Sequence, residues 1–122
     1  MAASKGYEMI RVKIAPDGTV TCDPDPVKCY WEAGPANARW AFYGAPKRAV
    51  KAVVEWKRGS GVPFEGHDEK ESSSGSQVPD VVTRGNTKRK GAFFYTVKLL
   101  AADGTVVAEV DPELDNEANP TP

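Results

Sequence analysis

Few side chains in this 122-residue sequence have chemistry to offer, and their spacing sets what each can do. The single histidine, His67, stands in Gly66-His67-Asp68-Glu69 with Glu65 and Glu71 close by. An imidazole among carboxylates titrates near neutrality and can hold a metal weakly or act as a base. A base also needs a nucleophile or a held substrate beside it, and a Gly/Ser-rich stretch is a poor holder. His67 therefore reads as a solvated loop histidine with at most a binding role. Ser72, Ser73 and Ser74 have no strand-turn-helix setting that would present a nucleophile. Cys22 and Cys29 are separated by six residues, which is not a zinc spacing, and two thiols make no disulfide framework. They read as small apolar residues kept reduced inside a core. Nothing forms a glycine-rich phosphate cradle. The expectation is a protein without catalytic residues, metal or cofactor.

Binding is the remaining option, and the aromatic residues are its candidates. Trp31, Trp40 and Trp56 fall on the apolar parity of alternating segments and read as core. Tyr30 and Tyr43 fall on the opposite parity and read as exposed contact residues. Phe64 is an apolar anchor inside a polar stretch. Phe64, Tyr30, Tyr43 and His67 are thus the binding residues the sequence offers. Lys88, Arg89 and Lys90, with Arg84 and Lys98, read as a solvated basic face, because the formal net charge is -1 and no nucleic-acid motif is present. No apolar run approaches membrane-spanning length, and no apolar segment follows the first residues as in a signal peptide. A cytoplasmic protein with no nucleic-acid or membrane partner is expected.

The elements that must position these residues are short strands. Gly91 to Pro112 is the clearest: two runs rich in aromatic and β-branched residues flank Asp103-Gly104, a hairpin signal. Phe93, Tyr95, Val97 and Leu99 share one face, continued on the return strand by Val106, Ala108 and Val110. Tyr7 to Ala15 alternates with Ile10, Val12 and Ile14 inward and Arg11 and Lys13 outward. Pro16-Asp17-Gly18 turns it back into Thr19–Cys22, and the phrase Asp-Gly-Thr-Val recurs at 103–106, the same turn chemistry used twice. Asp23-Pro24-Asp25-Pro26 cannot donate to a ladder at its prolines and places a bend at an edge or between sheets. Val27–Glu32, Ala38–Tyr43 and Ala49–Lys57 alternate again, with Val50, Ala52, Val54 and Trp56 inward in the last. Residues 58–90 read as a long, partly mobile loop anchored by Phe64, with a short edge strand at Pro79–Thr83. Residues 1–6 read as a flexible leader and 113–122 as a flexible acidic tail. No sustained 3.6-residue period appears, so little helix is expected. The fold predicted for residues 7–112 is all-β, a seven- to eight-stranded antiparallel or mixed β-sandwich.

Three segments carry a resemblance. Cys22-Asp-Pro-Asp-Pro-Val-Lys-Cys29 followed by Gly34 and Arg39-Trp40 is similar to a proline-bearing cupredoxin phrase. Val53-Val54-Glu55-Trp56 through Val62-Pro63-Phe64 is similar to a strand with a Pro-Phe anchor. Gly91 to Tyr95 resembles the aromatic entry to the strand that carries copper ligands. In blue copper proteins a cysteine and a histidine follow that entry. Here Thr96, Val97, Lys98 and Leu99 stand there. The resemblance implies a cupredoxin-like sandwich that lacks the copper ligands, with an immunoglobulin-like sandwich as the alternative. Its function is then expected to be non-catalytic: a protein-interaction or assembly module that takes a protein partner or a second copy of itself. The alternative is a small-ligand or carbohydrate-binding domain using exposed aromatics.

Overall fold

The computed structural model describes residues 6–57, 59, 61–68, 70–71 (backbone only) and 78–120, and among them the chain is all-β, with no helix. Its strands are β1 (Tyr7–Ile14), β2 (Val20–Asp23), β3 (Val27–Tyr30), β4 (Asn37–Tyr43), β5 (Ala49–Trp56), β6 (Phe64–His67), β7 (Lys70–Glu71), β8 (Val81–Asn86), β9 (Gly91–Ala101), β10 (Val106–Val110) and β11 (Glu113–Glu117). They form two mixed sheets. The first runs β2-β1-β4-β8-β6 and the second β3-β11-β9-β5-β7, with β10 also pairing β9. Two pairings are parallel, β1 with β4 and β11 with β3. The Asp23–Pro26 bend carries the chain from the edge of the first sheet to the edge of the second. There the Asp25 carboxylate accepts the Glu113 N–H at 3.0 Å.

The alternation in the sequence sorts the side chains as expected over most strands. Ile10, Val12 and Ile14 from β1 and Phe93, Tyr95, Val97 and Leu99 from β9 are all buried in one apolar cluster shared by both sheets. The two Asp-Gly turns use one hydrogen-bond set twice. Ala15 and Ala101 N–H donate to the Thr19 and Thr105 carbonyls, while Thr19 and Thr105 N–H donate to the Asp17 and Asp103 carboxylates. Those bonds stabilise the ionised carboxylates and hold both below the usual range.

Several expectations need correction. Val106 is exposed, because a bulge between Val106 and Ala108 inserts Val107 and shifts the parity of β10. A second bulge, between Ala49 and Lys51, makes Ala49 rather than Val50 the buried residue. The stretch 58–90 is not a loop throughout. It supplies β6 and β8, and β8 is an interior strand between β4 and β6. Gly85 makes that pairing fit. Its φ is +69, and a Cβ there would lie 2.9 Å from the Glu65 Cβ. The stretch 113–117 is not a frayed tail either. It forms β11, held between β3 and β9, with Leu114 and Asn116 fully buried. The Ser72–Ser74 run and residues 1–5, 121 and 122 lie outside the described residues.

Candidate functional site

Phe64 is 3% exposed and packs on Trp56 with ring centroids 5.7 Å apart, so it is a core residue and not a contact for a partner. His67 sits on β6 opposite buried Thr83 and is half-buried. Among the described residues no group of three or more His, Cys, Asp or Glu is placed to hold a metal ion. Asp68, next to it, is engaged by Arg84. Tyr43 is exposed at the C-terminal end of β4. Tyr30 is half-buried beside the other end of that strand, where its N–H donates to the Pro35 carbonyl. The length of β4 puts them roughly 20 Å apart, so the two tyrosines form no common platform.

Cys22 and Cys29 are both free, the first half-buried on β2 and the second buried on β3. Burial pushes each thiol up to about 12, with Asp25 adding to the effect at Cys22 and Glu8 at Cys29. Such thiols are protonated at neutral pH and weakly nucleophilic. Trp40 is fully buried, and Trp56 is packed against the core. Trp31 is not in the core. β3 ends at Tyr30, and Trp31 occupies the following turn, half-buried. The basic residues are scattered as well. Lys98 lies far along β9 and pairs with Glu55 at 2.9 Å, leaving Lys88, Arg89 and Lys90 as the cluster.

What the fold brings together is the outer face of the first sheet. The residues of β1 that do not point into the core are Tyr7, Met9, Arg11 and Lys13, and all four are exposed. The parallel register sets Met9 beside Arg39, Arg11 beside Ala41 and Lys13 beside Tyr43. Tyr7, Met9 and Tyr43 are 42%, 38% and 50% exposed. Half of the large apolar side chains exposed among the described residues therefore share one face of two neighbouring strands. Arg39 is bound to Asp80 through Nε at 2.8 Å and Nη2 at 2.7 Å. Arg11 and Lys13 form no ion pair among the described residues. Tyr7 and Met9 were missed as contact residues, although the signal was present: they share the parity of Arg11 and Lys13 on the polar face.

A second feature lies at the opposite end of β4. Trp31, Lys88, Lys90, Glu117, Ala118, Asn119 and Pro120 line a concavity of about 390 Å³. The 87–90 loop beside it is held by an amide pair joining the two sheets, half-buried Asn86 on β8 and fully buried Asn116 on β11. Asn86 Nδ2 donates to Asn116 Oδ1 at 2.8 Å, and Asn116 Nδ2 donates back to Asn86 Oδ1 at 3.0 Å. The same amides bind the Ala36 carbonyl, the Arg89 carbonyl and the Lys88 N–H. Lys88 has φ +61 and is the one non-glycine residue with positive φ among those described. No family model, curated protein or solved structure matches this chain.

Proposed function

We propose that this chain is a non-catalytic protein-interaction or assembly module. Its scaffold is cupredoxin-like without copper ligands, and it works in the cytoplasm with Cys22 and Cys29 reduced. The observation that carries the reading is the outer face of β1 and β4, where Tyr7, Met9 and Tyr43 stand exposed around Arg11 and Lys13. A face on which exposed apolar side chains stand on either side of cations is the composition of a contact surface, and isolated exposed residues scattered over a protein would not be. The partner that fits is a protein surface presenting apolar side chains among carboxylates, on another protein or on a second copy of this chain. Apolar burial would supply the affinity, and the cations would set orientation and association rate.

The experiment is site-specific photocrosslinking in a native lysate, with the crosslinker placed at Met9 or, as the control, at Phe94 on the outer face of the second sheet. A protein adduct at position 9 that is competed by unlabelled wild type, but not by the Tyr7→Ser/Met9→Ser/Tyr43→Ser variant, is the expected result. An adduct of twice the chain mass identifies self-assembly. Equal labelling from both positions, or no adduct at 9, would defeat the reading.

A further inference from the structure

Independently of the sheet face, we propose that the concavity between Trp31 and the 87–90 loop is a binding site for a small molecule in which a ring, sugar or base, carries a phosphate. Its volume of about 390 Å³ falls in the range of small-ligand sites. One wall is Trp31, half-buried, a flat apolar surface suited to a ring. Lys88 and Lys90, both exposed, belong to the same lining, and compact ammonium charges suit phosphate. Lys90 has Glu117 at 4.0 Å, while Lys88 forms no ion pair among the described residues. Arg89 leans away, with its guanidinium against Gly61. The lining thus combines one indole, two ammonium groups and the Asn119 amide with the Glu117 carboxylate, which engages Lys90 and leaves Lys88 as the cation unpaired among the described residues.

Two features of the backbone support a site over a solvated loop. Lys88 adopts a left-handed conformation that a lysine enters at an energetic cost, and such conformations persist where the surroundings enforce them. The enforcement is visible. The Asn86 side chain accepts the Lys88 N–H at 2.9 Å, and Asn116 binds the Arg89 carbonyl at 3.0 Å. The amide pair that joins the two sheets therefore also fixes the loop that carries the lysines.

The test is titration of the full chain with glucose 6-phosphate, AMP, inorganic phosphate, glucose and adenosine, read by the indole N–H resonances. Saturable binding of glucose 6-phosphate or AMP, at least about tenfold tighter than inorganic phosphate and the uncharged ring, supports the site; the ligand that binds identifies the ring. The Trp31 resonance should move while those of Trp40 and Trp56 stay. Lys88→Gly separates ligand binding from folding, because glycine relieves the backbone and removes the charge. It should melt at or above the wild-type temperature and bind the ring phosphate about tenfold more weakly. Equal binding of phosphate with and without a ring, no binding of any of the five, or unchanged affinity in Lys88→Gly would overturn the proposal.

Discussion

Trp40 donates its indole N–H to the phenol oxygen of Tyr95 at 3.1 Å, and the two rings meet edge-on with centroids 5.4 Å apart. Trp40 belongs to β4 of the first sheet and Tyr95 to β9 of the second, and both are fully buried. The bond therefore joins the sheets through the middle of the core. Trp56 and Phe64 complete the group, with Trp56 in ring contact with Trp40, Tyr95 and Phe64.

Tyr95→Phe keeps the ring and removes the acceptor. The Trp40 indole N–H is then buried without a partner, at a cost of about 1–3 kcal/mol. Urea unfolding should show that loss. Combining Tyr95→Phe with Trp40→Phe should cost less than the sum of the two single changes, since the pair shares one bond. Strict additivity would show that the bond contributes nothing.

Phe64→Ala should behave as a core truncation. Its ring fills the space against Trp56, so the expected loss is about 3–5 kcal/mol. Tyr43→Ala, at an exposed position, should change stability by no more than about 0.5 kcal/mol. Thermal melts of the two variants side by side read the contrast.

Asn116→Leu should destabilise by about 2–4 kcal/mol, because Asn86 loses its reciprocal partner and the Arg89 carbonyl its donor. Amide hydrogen exchange should rise in residues 86–90 before the rest of β9, as the loop loses the side chain that holds it. Uniform exchange across β8 and β9 would contradict this coupling.

Alkaline pH should weaken the fold through the thiols. In the unfolded chain each cysteine ionises near its ordinary value of 9.0, whereas in the folded protein burial pushes both up to about 12. The folded state therefore holds more protons across that window. The stability is fully present below pH 9 and falls as pH rises toward 12. Tyr95 adds to the fall above its ordinary value of 10.0, since burial raises its phenol as well. Urea midpoints should decline with pH from about 9 upward, and Cys29→Ala should flatten part of that decline. At neutral pH, Cys29 should react with a thiol reagent only on unfolding.

Strands β1, β4, β5 and β9, the buried faces of β1, β4 and β9 and both Asp-Gly turns could be read in the sequence because they rest on local physics, whereas the bulge that buries Ala49 in place of Val50 could not. Alternation at period two and a turn that accepts positive φ need no knowledge of the partner strand. The Asp23–Pro26 bend was legible for the same reason: two prolines cannot donate to a ladder. Glu113–Glu117 was not legible. Glu-Leu-Asp-Asn-Glu reads as an acidic tail until β3 and β9 satisfy its backbone on both sides and Asn86 satisfies Asn116. Phe64 was misplaced because its burial depends on β6 pairing with β8, a contact between distant segments in a stretch whose composition reads as loop. The exposed face was half legible: parity alone put Arg11, Lys13 and Tyr43 outward. That Tyr43 lies beside Lys13, on the face of Tyr7 and Met9, is decided by the parallel register of β1 and β4. Register is a property of paired strands, fixed by the shared core and by nothing within either strand alone.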